Sequence, residues 1–187
     1  MRKAILSLAT ALFLLVSTLT VSAGTLNGVT MPETIQARGV PLVLNGMAVR
    51  TRTGFKIYVA GLYLQQKSSD ADGIIRSDSP KRIVLQFTHE TSKNQMVEAF
   101  NHGFDNSEPG ARDALKQQVD HFLGQLDGVH SGDQMVLTYF PGTGTVFLMN
   151  GGEKITIPGL PFAQLLFSVW LGPTPTAPEV KKSLLGQ

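Results

Sequence analysis

The chain has 187 residues, with 16 Lys+Arg against 14 Asp+Glu, 42% hydrophobic residues and no cysteine. This length and composition suit one domain, or two small ones, with a real hydrophobic core, and they exclude a disordered or acidic-tail protein. Because cysteine is absent, a disulfide scaffold, a cysteine-ligated metal or iron–sulfur site, a c-type haem and a thiol nucleophile are excluded as well.

The first 23 residues have the pattern of a secretory signal peptide. Arg2 and Lys3 give a positive start, an almost unbroken apolar run follows, and a small-residue cleavage site ends at Ala23. A membrane anchor is the alternative, but a span needs about 20 apolar residues and polar residues interrupt this run early. We expect a signal peptide at residues 1–23 and a single domain at residues 24–187, periplasmic or secreted, with no stable membrane anchor after cleavage.

The charge balance of the remaining chain argues against nucleic acid as a partner. Cleavage would remove Arg2 and Lys3 and no acidic residue, which leaves basic and acidic residues equal in number. No run rich in Lys and Arg remains that would form a phosphate-binding surface.

The first half of the chain is predicted to form strands. Residues 42–52 (LVLNGMAVRTR) and 55–64 (FKIYVAGLYL) are rich in β-branched and aromatic residues and are separated by Thr53-Gly54, which predicts a hairpin. Residues 81–88 (KRIVLQFT) predict a third strand.

Two helices are predicted next. Ser92 and Gln95 form a capping box, and an apolar stripe with a four-residue spacing follows it: Met96, Phe100 and Phe104. Pro109 lies near the start of the second helix. Its apolar stripe comprises Leu115, Val119, Phe122 and Leu126, and Gly128 is a natural stop.

The pattern then returns to strands and ends in helices. Residues 135–140 and 145–149 flank a Pro-Gly-Thr-Gly turn, and residues 153–157 predict a short further strand. A strongly apolar helix follows, with a face formed by Phe162, Leu165, Leu166, Val169 and Trp170, closed by Gly172-Pro173. Thr176 and Glu179 form a second capping box, with Pro178 in the first turn, before a final helix at residues 180–185.

This order of elements predicts an α+β fold with a largely antiparallel sheet. Each helix except the apolar one has a single apolar face, so we expect the helices to cover one side of the sheet. An apolar ligand cleft between the two layers is a common outcome of such packing.

Most catalytic and metal-binding motifs are missing from the sequence. The four histidines lie in separate elements and show no metal-ligand spacing, and there is no nucleophile elbow or carboxylate pair. The Gly-Thr-Gly segment at residues 142–144 lies between two strands and indicates a turn, not a phosphate-binding loop. We therefore expect no metal and no cofactor.

The predicted hairpin carries the most informative polar residues. Arg50 and Arg52 have the same parity on one strand and therefore share a sheet face, while Tyr58 and Tyr63 lie on the partner strand. A guanidinium beside a phenol is a good receptor for a carboxylate or an oxyanion, because arginine donates charge-assisted hydrogen bonds in pairs. The alternative is two solvated arginines on an edge strand and two tyrosines that pack the sheet.

The segment NGMAVRTRTGFKIYVAGLYL resembles the core hairpin of the chalcone isomerase-like superfamily. The later pieces YFPGTGTVFLMNG and PFAQLLFSVWLG, and a terminal helix ending in LLG, follow in the same order. The resemblance covers most of residues 40–186 and is greatest to a secreted bacterial branch. It implies an open-faced β-sandwich, in which a curved antiparallel sheet is covered on one face by helices, with an apolar cleft between them.

The resemblance also implies site residues. In the plant enzymes, which cyclise a chalcone to a flavanone, an arginine on the first hairpin strand holds the phenolate; that position best matches Arg50, with Arg52 as runner-up. Tyr58 falls where the enzymes have a threonine and fatty-acid-binding relatives have a tyrosine that holds a carboxylate with the arginine. An asparagine of the enzymes matches Asn101, and His102 is adjacent.

The chain departs from the enzymes at two polar positions. Asn94 or Gln95 stands where the enzymes have a tyrosine, and Val180 stands where they have a hydroxyl residue. The leading hypothesis is therefore a secreted, non-catalytic protein that binds a small amphipathic carboxylate or phenolate, such as a fatty acid.

Two alternatives remain open at this point. The first is an isomerase or intramolecular lyase on a chalcone- or enone-like substrate, with Arg50, Tyr58 and His102 as candidate catalytic residues. The second is a structural or interaction module of the periplasm, with an unknown protein partner docking on Phe167 and Trp170 if these side chains are exposed. We expect both side chains in the core, because their helix is apolar all round.

Overall fold

The computed structural model describes residues 23–175 and 177–187. The predicted signal peptide therefore lies outside the described residues, except for Ala23, which begins the first strand. In the described part of the chain, no helix is long and apolar enough to cross a membrane.

Nine strands and six helices are formed in the described residues. The strands are β1 (Ala23–Leu26), β2 (Val29–Pro32), β3 (Thr34–Ala37), β4 (Val40–Arg52), β5 (Phe55–Leu64), β6 (Lys81–Phe87), β7 (Gln134–Phe140), β8 (Gly144–Met149) and β9 (Gly152–Ile157). The helices are α1 (Ala71–Arg76), α2 (Lys93–Asp105), α3 (Ala111–Ala114), α4 (Lys116–Gly124), α5 (Leu160–Leu171) and α6 (Pro178–Leu184).

Strands β3 to β9 form one antiparallel sheet in sequence order, and β1 and β2 form a separate two-stranded hairpin. Each neighbouring pair is antiparallel. The α+β class with a largely antiparallel sheet is therefore confirmed. This order needs only short connections except between β5 and β6 and between β6 and β7, and helices occupy both of those longer links.

The sheet has an apolar side chain layer on each face. One face packs against the helices and forms the larger cluster, in which the side chains of Leu62, Leu85 and Phe147 meet those of Phe122 and other helix residues. The opposite face carries a smaller cluster around Val59, Tyr63 and Val146, to which Met31 of β2 contributes. The helices thus cover one face, as expected, and part of the other face is covered by the β1–β2 hairpin.

The sequence predicted the central hairpin well because its turn chemistry is local. Thr53 and Gly54 both adopt positive φ angles, of 47° and 82°, and Arg52 pairs with Phe55 across them. Positive φ at both central residues is the geometry of a type I′ turn, which matches the twist of the flanking strands. The Ser92–Gln95 capping box at the start of α2 is likewise formed.

The second predicted helix is a correction: it is two helices, not one. α3 ends at Ala114 and α4 begins at Lys116, because Leu115 adopts φ −111° and ψ 19°, outside helical geometry. Val119 and Phe122 remain on a buried stripe, but Leu126 is buried beyond the end of α4. The apolar spacing therefore predicted correctly which side chains are buried, but its prediction of one continuous helix was wrong.

The last helix also begins differently from the prediction. Its N-cap is Ala177, which makes no side-chain cap hydrogen bond, and Thr176 lies outside the described residues. The C-terminal half of α6 packs tightly on β4: a Cβ atom at Gly46 would lie 2.2 Å from the carbonyl oxygen of Ser183. The side chain of Asn45 donates to the Leu184 carbonyl oxygen at 2.7 Å. These contacts fix α6 beside the central hairpin.

The elements that the sequence analysis missed are short. β1, β2 and β3 have four residues each and α1 has six. Such segments have too few residues to show a period of apolar residues in the sequence. Their structure depends on packing and pairing with neighbouring elements.

Candidate functional site

A cleft of about 920 Å³ lies between the helical layer and the end of the sheet formed by β4, β5 and β6. This volume is in the upper part of the range of small-molecule sites. The cleft is lined by strand residues, by one face of α2 and by the facing ends of α5 and α6. The candidate residues that line it are Arg50, Arg52, Tyr58, Asn101 and His102.

Arg50 and Tyr58 are directly opposite each other in the β4–β5 pairing. A register shift between Arg50 and Thr51 sets this pairing, and opposite residues of an antiparallel pair project from the same face, so the two side chains lie together. The Arg50 side chain is 19% exposed, and its Nη1 atom donates to the Thr51 carbonyl oxygen at 3.1 Å. The same Nη1 atom lies 3.6 Å from a carboxylate oxygen of Glu179 at the start of α6.

The hydroxyl of Tyr58 is held by Trp170. The indole Nε1–H of Trp170 donates to the Tyr58 oxygen at 3.1 Å. Because an indole nitrogen is a donor only, the tyrosine oxygen accepts in this bond and its own hydrogen remains available to a second partner. Phe87 packs its ring edge-on against the Tyr58 ring, with the ring centroids 5.8 Å apart.

The environment keeps the Tyr58 phenol protonated. Burial raises its pKa above the ordinary value of 10.0, while the Trp170 hydrogen bond and the Arg50 charge act in the opposite direction. A protonated phenol is a hydrogen-bond donor at neutral pH. Arg50 and Tyr58 together therefore present donors that suit a carboxylate or a phenolate oxygen.

The helical wall opposite these donors carries an apolar patch. It consists of Met96 and Phe100 from α2, Val169 and Trp170 from α5, and Val180 from α6. All five are buried residues of the larger cluster, and Phe100 meets Trp170 edge-on with ring centroids 5.9 Å apart. Helix α2 also brings polar side chains to the lining, among them Glu98 and Asp105, so the helical side of the cleft combines an apolar patch with polar groups.

The mouth of the cleft is formed by exposed residues of the β4–β5 turn and the segment after β6. Arg52 is exposed there, and Phe55 stacks on His89 with ring centroids 4.8 Å apart. Phe55 is 56% exposed, an unusual fraction for a large apolar side chain in this protein. Arg52 lines the same cleft as Arg50, but its side chain is more exposed to solvent. Arg50 therefore lies deeper in the cleft than Arg52.

Asn101 and His102 line the cleft but are engaged with other side chains. The Asn101 oxygen accepts from Nη2 of Arg112 at 2.7 Å. The His102 Nε2 atom lies 3.0 Å from the Asn106 side-chain nitrogen, and His102 is exposed on the surface of α2. Neither residue forms a hydrogen bond with Arg50 or Tyr58 within the described residues.

The two phenols of β5 have different environments. Tyr63 lies on the opposite face of the sheet, where its hydroxyl donates to the Pro32 carbonyl oxygen at 2.9 Å. Only Tyr58 of this pair faces the cleft, as the parity of a strand requires for residues five positions apart.

Two neighbours of the Arg50–Tyr58 pair were missed as site residues. The sequence pattern predicts Trp170 in the core and Glu179 in a helix cap. Trp170 is 5% exposed and Phe167 is fully buried, which confirms the core assignment and leaves neither available for a protein partner. No local pattern relates these residues to β4 and β5, since Trp170 is 112 positions from Tyr58.

No group of His, Asp or Glu side chains in the described part of the chain has the arrangement of a metal site.

A curled antiparallel sheet with helices on one face and a cleft between them defines an α+β protein with an open-faced sandwich. Residues 23–186 match the family model described as chalcone isomerase-like, so the chain belongs to the chalcone isomerase-like family. The fold predicted from the sequence resemblance is thereby confirmed.

A solved structure has the same fold. The crystal structure of a fatty-acid binding protein from Arabidopsis thaliana superposes with a TM-score of 0.69 at 14% sequence identity. The superposition covers 88% of this chain and 96% of the plant protein. No curated protein matches the sequence.

Proposed function

We propose that this protein binds a small amphipathic ligand with a carboxylate or phenolate head, and that it does so without catalysing a reaction. The observation that carries the proposal is the register pair Arg50–Tyr58, which faces a cleft with an apolar patch on the opposite wall. A fatty-acid-like molecule would place its head on these two donors and its chain along Met96, Phe100 and Val169. The fold shared with a fatty-acid binding protein supports this ligand class.

The residues around the pair support binding over catalysis. Val180, which stands where the sequence resemblance places an enzyme hydroxyl, lines the cleft as an apolar side chain. His102 is exposed and contacts Asn106, not the Arg50–Tyr58 pair. General acid–base catalysis needs a group within hydrogen-bond reach of the reacting proton, and His102 is not joined to the polar end of the cleft.

The cellular location is part of the same proposal. The signal-peptide pattern of residues 1–23 supports export, and the family resemblance supports a secreted bacterial branch. Export of the full-length sequence in a bacterial host, followed by determination of the N-terminal residue of the product, tests this part. An uncleaved product that remains in the cytoplasm would contradict it.

The binding experiment uses decanoate and the single tryptophan of the chain. Because Trp170 lines the cleft, ligand entry is expected to change its fluorescence, and a titration gives the Kd. Arg50→Gln should weaken decanoate binding by about tenfold or more, since a hydrogen bond to a charged group contributes about 1.5–3 kcal/mol. Arg52→Gln tests the runner-up, and Arg38→Gln is the control, because Arg38 lies over Phe140 and away from the cleft.

Two results would overturn the proposal. One is the absence of saturable decanoate binding to the wild-type protein. The other is equal affinity in the wild-type and Arg50→Gln proteins. A chalcone absorbance assay on the same preparation separates binding from turnover: loss of chalcone above background that depends on Arg50 would favour the isomerase alternative.

A further inference from the structure

A carboxylate of the protein itself already stands beside Arg50. Oε1 of Glu179 lies 3.6 Å from Nη1 of Arg50, which is within ion-pair range but longer than a hydrogen bond. The two partners differ in accessibility: the Arg50 side chain is 19% exposed and the Glu179 side chain is 64% exposed. The cation is therefore fixed at the cleft, while its counter-ion reaches in from solvent.

The backbone that carries Glu179 is firmly placed. Val180 and Leu184 of α6 are buried in the larger cluster, and the carbonyl oxygen of Ser183 lies against Gly46 of β4. Only the side chain of Glu179 needs to rotate for the carboxylate to leave Arg50. Rotamer changes of exposed side chains are fast and inexpensive, so the ion pair can open without movement of the helix.

We propose that Glu179 is a specificity-determining residue, an internal carboxylate that competes with an anionic ligand for Arg50. This inference rests on the function proposed above. The ligand carboxylate and the Glu179 carboxylate seek the same guanidinium, whose Nη1 atom also donates to Thr51. An anion that binds at Arg50 must either displace the Glu179 carboxylate or bind beside it and be repelled by its charge. A neutral alcohol carries no charge, so Glu179 does not oppose its binding in this way.

The competition has a direct consequence for ligand choice. With Glu179 present, the formal charges of the two side chains cancel at the polar end of the cleft. Without the Glu179 charge, Arg50 presents an uncompensated cation that favours anions over neutral amphiphiles of the same chain length. Glu179 thus lowers the affinity for carboxylates and gives Arg50 a partner when the ligand leaves.

The test compares decanoate with 1-decanol in the wild-type and Glu179→Gln proteins, with Trp170 fluorescence as the readout. Glutamine keeps the size of the side chain and removes its charge. We expect decanoate to bind Glu179→Gln about two- to fivefold more tightly than the wild-type protein, because breaking an exposed ion pair changes an equilibrium constant by about that factor. We expect 1-decanol to bind both proteins with the same affinity. Glu33→Gln is the matched control, because Glu33 is exposed and lies outside the cleft.

A double variant shows whether the effect passes through Arg50. In an Arg50→Gln background the competition for Arg50 is absent and only repulsion between the two carboxylates remains, so the Glu179→Gln change should give a smaller gain in decanoate affinity. A gain of equal size in that background would overturn the proposal, because two independent effects add and a shared interaction does not.

The remaining outcomes separate this inference from the proposed function. If wild-type protein binds decanoate and Glu179→Gln binds it with the same affinity, the competition is refuted and the binding function stands. If Glu179→Gln tightens decanoate and 1-decanol equally, the residue acts on cleft shape and the competition is refuted. If neither protein binds either ligand, the proposed function fails and the inference fails with it.

Discussion

The hydroxyl of Tyr58 offers the sharpest test of the site, because one oxygen atom serves both the fold and the proposed ligand. Tyr58→Phe removes that atom and keeps the ring that packs edge-on against Phe87. The indole N–H of Trp170 then loses its acceptor, which lies 3.1 Å away in the wild-type protein. The variant therefore changes two measurable quantities, the free energy of unfolding and the ligand affinity, for separate reasons.

The two magnitudes follow from the kinds of hydrogen bond involved. The Trp170–Tyr58 bond joins neutral groups, so its loss should lower the free energy of unfolding by about 1 kcal/mol. For a chain of this size such a loss lowers Tm by about 2–4 °C. A bond from Tyr58 to a ligand carboxylate involves a charged acceptor, and its loss at about 1.5–3 kcal/mol weakens decanoate binding by about 10- to 150-fold.

Tyr63→Phe is the matched control on the same strand. Its hydroxyl donates to the Pro32 carbonyl oxygen on the opposite face of the sheet. This variant should lower stability by a similar amount and leave decanoate affinity unchanged. Urea unfolding and Trp170 fluorescence titration measure the two quantities. Equal decanoate affinity in Tyr58→Phe and the wild-type protein would refute the assignment of the phenol to the ligand head.

Three further variants test other parts of the structure. Gly46→Ala should destabilise the protein by at least about 2 kcal/mol in urea unfolding, because its Cβ would lie 2.2 Å from the Ser183 carbonyl oxygen; an unchanged midpoint would contradict the close packing of α6. Lys81 is buried, and burial lowers its pKa to about 8, below the ordinary 10.5, so the folded state releases a proton that the unfolded state keeps. The free energy of unfolding should therefore rise between pH 8 and 10 in the wild-type protein but not in Lys81→Met. A rise in both proteins would show that a group other than Lys81 causes this pH dependence. Trp170→Phe should raise the pKa of Tyr58 further, since the indole hydrogen bond lowers it, and a lower Tyr58 pKa in tyrosine-labelled NMR spectra would refute that direction.

Much of the architecture could be predicted from local patterns because local interactions set it. The Thr53-Gly54 turn and the Ser92–Gln95 capping box each involve residues within a few positions of one another. The opposition of Arg50 and Tyr58 is different, because it depends on a register shift between Arg50 and Thr51. The two-residue turn that pairs Arg52 with Phe55 would by itself place Arg50 opposite Ile57.

Prediction failed where a neighbouring element overrides the local pattern. The continuous apolar stripe through Leu115 predicted one helix, but the chain breaks there into α3 and α4 while the side chains of Val119 and Phe122 stay buried. Apolar spacing reports which side chains are buried, and the backbone between them is adjusted by packing. The short β1, β2 and β3 strands likewise exist through pairing with partners, not through a period of their own.

The sequence by itself determined the α+β class, the central hairpin, the placement of Arg50 and Tyr58 on its two strands and the apolar faces of the helices. It did so because hydrogen-bonding turns, caps and side-chain periods act over a few residues. Only the tertiary structure decided that Trp170 donates to Tyr58 and that Glu179 stands beside Arg50. Those contacts join residues more than a hundred positions apart, and they exist because α5 and α6 pack against one end of the sheet, a placement set by the shape of the whole core.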